Sequence, residues 1–352
     1  MVFTMARLHF YSSVNFAAFK KGTIVRVLVT GATGFVGSHV VDELLMKGYD
    51  VSYLARPSSN HRWLKNKNVT LRQGSLYNGE SLRTAVADAD AIIHVAGQIS
   101  GKNEADFYRG NVTATTNLLT AIQTYRPTLQ RFVHISSGAV NGPSDSLDKP
   151  ATEDDIMKPL TAYGRTKAKA EEIVNQVKDA LPITIVRPPV VYGPRDEATL
   201  SFFKLVHKGF APLIGFDDKY VSMIHVRDLS RGIVECMNHS SATGNTYFIT
   251  SEESYSWQQI ANVAAAVAGR RKLTTIRIPH PAVLAIAGTV GLISKLFGKP
   301  SVLNYEKGQD IIQRYWISSG AKARRELGFK PTISLQDGIE DTMTWYEDQR
   351  WL

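Results

Sequence analysis

The 352-residue sequence contains a single cysteine, and this scarcity excludes two classes of protein at once. One thiol, Cys236, cannot form an internal disulfide, so a disulfide-stapled secreted scaffold and a zinc site made of several cysteines are both ruled out. Long apolar runs are missing too, since none reaches the roughly 20 residues that a bilayer-spanning helix needs. We therefore expect an ordinary globular protein of a reducing compartment, cytoplasmic and without a bound metal.

Acidic residues are outnumbered, with 32 Asp and Glu against 41 Lys and Arg, which gives a formal net charge of +9. An excess of basic residues can indicate a nucleic-acid-binding protein. Here, however, the basic residues are scattered along the chain, and several lie near the N-terminus (Arg7, Lys20, Lys21 and Arg26). This distribution favours a solvated basic surface with sites for small anionic ligands. We expect no nucleic-acid partner.

Residues 1–23 also lack acidic side chains, and they lack the long apolar core of a secretory signal. The first convincing strand starts only at Ile24. We interpret this stretch as an N-terminal appendage. Three origins stay open for it: a mistaken upstream start, a weak organelle-targeting peptide or a surface arm.

From Ile24 onward, strand-like and helix-like patterns alternate. The strand candidates are apolar runs at 24–29, 51–55, 69–73, 91–96, 131–136 and 183–187. Near-continuous apolar strands that alternate with helices predict a parallel sheet covered on both faces. The predicted fold class is α/β, with a doubly wound parallel-sheet Rossmann domain and a smaller C-terminal α+β substrate domain.

The domain boundaries are predicted from the point where this alternation breaks. After Arg187 the sequence becomes rich in proline and loses the strand–helix rhythm. We assign residues 24–190, plus roughly 221–250, to the Rossmann domain. Residues 191–220 and 251–352 are assigned to the substrate domain.

Glycines at 31, 34 and 37 lie between the first predicted strand and a predicted helix. In a dinucleotide-binding loop the first glycine allows the tight turn, the second lets the backbone approach the pyrophosphate, and the third lets helix pack on strand. The alternative is a chance cluster of glycines, but the flanking strand and helix favour cofactor binding. The predicted cofactor contacts in this loop are Gly31, Thr33, Gly34, Phe35, Val36 and Gly37.

The end of the second strand discriminates between NAD and NADP. An acidic residue there holds the ribose 2′-hydroxyl, whereas a basic residue holds a 2′-phosphate. Here the strand is followed by Arg56. NADP is therefore favoured over NAD, unless Arg56 is an ordinary solvated surface arginine.

A candidate catalytic pair lies on a later predicted helix. Tyr163 and Lys167 are four residues apart, so both side chains can point into one site from one helix face. An ammonium beside a phenol favours the phenolate, which a proton donor and acceptor near neutral pH requires. The preceding strand ends in Ser136-Ser137, where a hydroxyl can hold a substrate oxygen, and no Gly-x-Ser-x-Gly motif points to a serine hydrolase.

Several ordered motifs together resemble the extended short-chain dehydrogenase/reductase family, which includes sugar-nucleotide epimerases and dehydratases, 3β-hydroxysteroid dehydrogenases and dihydroflavonol reductases. The resemblance runs from about Ile24 to the C-terminus. The motifs are Thr30–Gly37, His94–Gly97, Asn111 with Asn117 to Leu119, Ser136-Ser137, Tyr163 with Lys167, Arg187–Asp196 and Lys322–Pro331.

The resemblance implies a role for each site residue. Tyr163 would be the acid/base, Lys167 would lower its pKa and hold the nicotinamide ribose, and Ser137 rather than Ser136 would bind the reacting oxygen. It also implies a homodimer. The further cofactor contacts that it implies are Ser75 and Leu76 at the adenine, Ala96 and Gly97 at the ribose side, and Pro188 through Val191 at the nicotinamide.

Departures from the family pattern reduce the number of reactions that the sequence fits. Gly138-Ala139 stand where the dehydratases carry Asp-Glu, and neither residue can transfer a proton, which argues against a dehydratase. The segment Lys219 to Asp228 lacks the arginine that sugar-nucleotide enzymes of the family commonly place just before it to hold the diphosphate. The family's usual aspartate is replaced by Ser75, which alters the adenine contact.

Three functions stay open, in this order. The first is an NAD(P)-dependent oxidoreductase that moves hydride between the nicotinamide and a secondary alcohol or ketone of a fairly apolar small molecule. The second is a sugar-nucleotide epimerase with tightly held NAD. The third is a catalytically idle nucleotide-binding subunit, against which the complete Ser137, Tyr163 and Lys167 set argues.

The stretch Pro281 to Phe297 is apolar around the whole helical circumference, so a simple surface helix would expose some of these side chains. One interpretation is an apolar wall or lid over the substrate that rests on a membrane surface. The other is a helix buried between the domains.

Overall fold

A seven-stranded, all-parallel sheet forms the larger part of the fold, with strand order β10-β6-β5-β4-β1-β2-β3. The computed structural model describes residues 24–297 and 303–352, so the predicted appendage at 1–23 lies outside the described residues. The strands and helices of the first half, in chain order, are β1 (Arg26–Thr30), α1 (Phe35–Met46), β2 (Asp50–Ala55), β3 (Thr70–Gln73), α2 (Gly79–Val86), β4 (Ala91–His94), α3 (Glu104–Phe107), α4 (Ala114–Tyr125), β5 (Arg131–Ile135), α5 (Ala162–Gln176) and β6 (Ile183–Arg187).

The second half builds a smaller part and twice returns to the large sheet. Its elements are β7 (Val190–Tyr192), α6 (Leu200–His207), β8 (Phe210–Ile214), β9 (Tyr220–His225), α7 (Val226–Asn238), β10 (Thr246–Phe248), β11 (Ser254–Ser256), α8 (Trp257–Val267), β12 (Thr274–Ile278), α9 (His280–Leu296), α10 (Tyr305–Ile311), β13 (Tyr315–Trp316), α11 (Ala321–Leu327) and α12 (Leu335–Asp348).

Both faces of the large sheet are buried. In β1, Val27 and Val29 pack into the apolar cluster formed with α1 and α7, whereas Leu28 points to the opposite cluster formed with α2, α4 and α5. This alternation follows from the two-residue period of a strand, and two covered faces explain why the strand sequences are almost continuously apolar. The predicted α/β fold class is confirmed.

The domain boundary near residue 221 differs from the prediction. Strand β9 pairs with β7, β11 and β13 and therefore belongs to the smaller sheet. The chain does not return to the large sheet until α7, which packs on α1 and β5. It then adds β10, which pairs with β6. Residues 221–225 were misassigned because an apolar strand looks the same in sequence whichever sheet it joins.

Helix α9 corresponds to the apolar stretch predicted at 281–297, and it is not buried between domains. Only Val283 and Ala287 are buried, while Leu292 and Leu296 are 60% and 75% exposed. The interpretation as an interdomain core helix is therefore wrong. Among the described residues, no helix is both long and apolar enough to cross a bilayer.

Candidate active site

The side chains predicted for the site gather at one edge of the large sheet. Because all seven strands run parallel, their carboxyl ends meet there, and the strand order changes direction between β1 and β4. Ligands of such sheets bind in the crevice that this change opens. The predicted site residues that lie one to three positions beyond strand ends are Gly31 (β1), Arg56 (β2), Ser75 (β3), Ala96 and Gly97 (β4), Ser137 (β5) and Pro188 (β6).

The glycine loop between β1 and α1 has no room for side chains at two of its three glycines. Gly31 has φ +74°, and a Cβ there would lie 2.6 Å from the backbone nitrogen of Ala96. A Cβ on Gly37 would lie 2.2 Å from the carbonyl oxygen of Gly31. Gly34 is different, since it is exposed and its Cβ would meet only the Gly31 oxygen, at 3.4 Å.

This loop suits a dinucleotide pyrophosphate. Helix α1 begins directly after Gly34, has no side-chain cap and carries no acidic residue in its first turn. Its first N–H groups and its dipole therefore favour an anion, and the surface over Gly34 is open for close approach. The residues present fit the phosphates of NAD or NADP.

Arg56 and Ser75 flank the crevice on the far side of β1. Arg56 is exposed and follows β2, whose Leu54 is in register with Thr30 at the end of β1. Ser75 lies in a tight local network, where its backbone N–H donates to Ser81 Oγ at 3.0 Å. Its own hydroxyl accepts from the Tyr77 N–H at 3.2 Å, which leaves a small polar rim where the family has an aspartate.

The remaining predicted cofactor contacts lie between β4 and β6. The Ala96 N–H donates to Thr30 Oγ1 at 3.3 Å, which fixes the chain after β4 against β1. The Pro188 carbonyl accepts from the Gly138 N–H at 2.8 Å, which links the end of β6 to the turn after Ser137. Leu76 packs into the core, and Val191 lies in the short strand β7.

Ser137 and Tyr163 meet directly. Ser137 caps the 3₁₀ turn after β5, where its Oγ accepts from the Ala139 N–H at 3.2 Å. Tyr163 lies in the first turn of α5, whose N-cap Thr161 accepts from the Gly164 N–H at 3.2 Å. Burial raises the pKa of the Tyr163 hydroxyl, and its hydrogen bond with Ser137 acts in the opposite direction.

Lys167 lies one turn further along α5, with its ammonium buried beside Gly97. Its Nζ donates to the Ile135 carbonyl at 2.7 Å, and a Cβ on Gly97 would lie 3.1 Å from it. Burial lowers the pKa of Lys167 to about 8, while the Glu171 carboxylate acts against this shift. Burial and Ser137 are the two causes that shift the pKa of Tyr163 in this structure. The lowering of this pKa by Lys167, which the resemblance implies, therefore stays a prediction.

Sequence reasoning assigned no role to Asn111, which the structure places beside Lys167. Asn111 is almost fully buried in a π-helical turn, Tyr108–Thr113, between α3 and α4. Its Oδ1 accepts from the Gln98 N–H at 2.7 Å, and its Nδ2 donates to Thr166 Oγ1 at 3.0 Å. Such turns are frequent at functional sites, and the signal in the sequence was the place of Asn111 among the motifs that resemble the family.

Arg165 was also missed, although it lies between Tyr163 and Lys167. Its guanidinium pairs with Glu104 at 2.8 Å and with Glu306 at 2.9 Å. Glu306 also accepts from the Ala162 N–H at 2.8 Å, so α10 is fastened to the first turn of α5. Nothing in the sequence indicated this contact, because the partners are 61 and 141 residues away.

Known proteins of similar sequence are dehydrogenases, reductases and epimerases. A ceramide reductase of Caulobacter vibrioides is 29% identical over 93% of this chain and 96% of its own length. A 3-beta-hydroxysteroid dehydrogenase of Mycolicibacterium neoaurum is 30% identical over 92% of each chain. A UDP-glucose 4-epimerase of Vibrio cholerae is 27% identical over 90% of this chain and 94% of its own.

Solved structures share the fold along almost the whole chain. The UDP-glucose 4-epimerase of Thermotoga maritima superposes with a TM-score of 0.76 at 22% identity, over 93% of this chain and 100% of its own. The dTDP-glucose 4,6-dehydratase of Bacillus anthracis, solved in complex with NAD, gives a TM-score of 0.75 at 21% identity, over 93% and 97%.

The sequence model of the NAD dependent epimerase/dehydratase family matches residues 27–250, which contain the glycine loop, Ser137, Tyr163 and Lys167. This match and the relatives above confirm the resemblance to the extended short-chain dehydrogenases/reductases, and the chain belongs to the NAD-dependent epimerase/dehydratase family.

Proposed function

We propose that this protein is an NAD(P)-dependent oxidoreductase that acts on a secondary alcohol or ketone of a fairly apolar small molecule. The observation that carries the proposal is that the first turn of α5, with Tyr163, packs against the turn that Ser137 caps, while the Lys167 ammonium lies one helical turn further along and is held at the Ile135 carbonyl. All three lie at the sheet edge that also holds the glycine loop. When bound there, the nicotinamide accepts or delivers the hydride.

Each protein group has a defined task in this reaction. The Ser137 hydroxyl holds the substrate oxygen, and the Tyr163 hydroxyl takes up or gives the proton on that oxygen. The Lys167 ammonium adds positive charge that favours the phenolate form of Tyr163 and binds the ribose hydroxyls. Asn111 fixes the chain at Gln98 beside Lys167, so the site keeps its shape.

Two observations support an apolar substrate over a nucleotide sugar. Lys219 is not free to hold a diphosphate, because its Nζ donates to the Ile312 carbonyl at 2.6 Å and lies 3.6 Å from Asp217. The names of two relatives, ceramide reductase and 3-beta-hydroxysteroid dehydrogenase, point to lipids as substrates of those proteins. We propose NADP as the preferred cofactor, on the position of Arg56 after β2.

The nucleotide that stays bound after purification separates the candidate functions. Exchangeable NADP, together with nicotinamide absorbance changes when apolar ketones or secondary alcohols are added, supports the oxidoreductase. Tightly held NAD with interconversion of UDP-sugars and no net redox change would replace it with an epimerase. Nucleotide binding without either activity would indicate an idle subunit.

The role of Tyr163 is tested by Tyr163→Phe, which removes only the transferable proton. We expect turnover to fall by about 10² to 10⁴ while nucleotide affinity stays within about twofold. Tyr125→Phe, at a half-exposed tyrosine at the end of α4, is the matched control and should keep full activity. Near-normal turnover of Tyr163→Phe would remove this residue from the acid/base role.

A further inference from the structure

The outward face of α9 carries apolar side chains where a surface helix normally carries polar ones. Its residues follow the spacing of three and four that defines one helix face. Thr289 is the one polar side chain among them, and its hydroxyl is already satisfied by the Ala285 carbonyl at 2.8 Å. The face consists of Ala285, Ile286, Thr289, Leu292, Ile293 and Leu296.

This face is exposed although the helix is well packed on its other side. Ile286 is 52% and Leu292 60% exposed, whereas Ala287 on the inward side is fully buried. The inward side lies close to α10, since a Cβ on Gly308 would come within 2.9 Å of the Ala287 Cβ. The exposed apolar face is therefore a feature of a tightly packed helix pair and not of a loosely attached segment.

The surrounding sequence has a charge pattern that singles out one kind of partner. Residues 254–305, 52 in a row, contain no aspartate or glutamate, although the whole chain has 32. The same stretch contains six cations: Arg270, Arg271, Lys272, Arg277, Lys295 and Lys299, the last of which lies outside the described residues.

Acidic groups from neighbouring elements compensate little of this charge. Asp218 lies 3.8 Å from Arg277, and Asp217 lies 3.8 Å from His280 at the start of α9. Glu306 of α10 is committed to Arg165 and to the first turn of α5. Arg270 and Arg271 are exposed, and among the described residues no carboxylate lies within ion-pair distance of either.

We propose that α9 docks face-down on an anionic lipid bilayer as a peripheral anchor. The apolar face would enter the boundary between headgroups and acyl chains, while the cations that precede and follow it in the sequence attract the anionic headgroups. Its outward face carries no charge along the 17 residues of α9, so the whole length of this face can lie against a bilayer surface. The proposal does not depend on the reaction assigned above.

The docked helix is connected to the catalytic helix. Helix α9 packs on α10, and Glu306 of α10 accepts hydrogen bonds from the backbone of Ala162 and from Arg165 on α5. Docking would therefore hold the Tyr163 site at a set distance and orientation relative to the bilayer.

Co-sedimentation of the full chain with lipid vesicles tests the proposal. We expect binding to vesicles rich in phosphatidylglycerol, at least about tenfold weaker binding to phosphatidylcholine alone, and a decrease at high salt. The double variant Leu292→Asp/Leu296→Asp should lose binding, because two charges enter the apolar face. The matched control Met46→Asp/Ile156→Asp replaces side chains that are 76% and 79% exposed elsewhere, and it should bind like the wild type.

A second variant keeps the test decisive if the α9 variant fails to fold in a thermal-unfolding check. Arg270→Gln/Arg271→Gln alters only exposed side chains and should weaken binding to the anionic vesicles by at least about fivefold. A wild type that stays in solution with anionic vesicles overturns the proposal, as does equal binding of all variants. A wild-type dimer without lipid affinity that the α9 variant converts to a monomer overturns it as well, and would identify the face as a contact between two copies.

Discussion

Arg187 and Glu171 form a buried, two-bond ion pair that joins β6 to the catalytic helix α5. The Arg187 Nε and Nη2 donate to the two carboxylate oxygens at 3.0 and 2.7 Å, and both side chains are at most 5% exposed. Arg187 Nη1 also donates to Asn141 Oδ1 at 3.1 Å, just after the turn that Ser137 caps. The pair therefore holds α5, one turn after Lys167, against the end of β6 at Arg187.

Removing one partner of this pair should be costly. We expect Arg187→Met to lower the free energy of unfolding by about 3 to 5 kcal/mol, because it leaves the Glu171 carboxylate buried without a partner. The double variant Arg187→Met/Glu171→Leu should recover part of this loss. Urea unfolding checks both. Lys169→Met, from the exposed pair with Glu172, is the control and should leave stability nearly unchanged.

Two glycine variants separate folding from cofactor binding. Gly34→Ala should fold nearly normally, because its Cβ meets the Gly31 oxygen only at 3.4 Å, yet it should weaken nucleotide binding by covering the pyrophosphate surface. Gly37→Ala should lose about 1 to 3 kcal/mol of stability as well, because its Cβ would lie 2.2 Å from that oxygen. Urea unfolding and calorimetric titration with NADP measure the two properties, and a Gly34→Ala protein with unchanged nucleotide affinity would contradict the assignment of this loop.

The lowered pKa of Lys167 predicts how stability depends on pH. Burial lowers it from the ordinary 10.5 to about 8, so between these values the unfolded chain holds a proton that the folded chain has released. The free energy of unfolding of the wild type, compared with Lys167→Met, should therefore rise with pH over this window, by up to about 3 kcal/mol at about 1.4 kcal/mol per pH unit. The comparison cancels all groups that both proteins share. A flat difference would show that Lys167 has an ordinary pKa, and a falling one that its pKa is raised; either result contradicts the prediction.

Arg56 should decide the preference between the two cofactors. If its guanidinium holds the 2′-phosphate, Arg56→Ala loses about 1.5 to 3 kcal/mol of NADP affinity and leaves NAD affinity nearly unchanged. Lys65→Ala, at an exposed cation further along the same loop, is the matched control and should affect neither. Equal losses for NAD and NADP would make Arg56 a surface residue without a part in the discrimination.

Local patterns in the sequence were sufficient to predict the parallel sheet and the edge of it at which the proposed site lies. The strand predicted at 183–187 has those bounds in the structure, and the one predicted at 51–55 begins one residue earlier, at Asp50. Gly31, Ser137 and Tyr163 could be placed at a turn, near a strand end and on a helix face because these positions depend on residues only a few places apart, whereas their roles stay a proposal.

Only the tertiary structure decided which distant residues share an environment. It placed β9 in the smaller sheet, put Asn111 beside Lys167, and fastened Arg165 to Glu306. The sequence of α9 is apolar all round, but whether its outer face is covered depended on what packs against it. Burial and pairing are properties of contacts between segments far apart in the chain, and a pattern read along one segment contains no information about its partner.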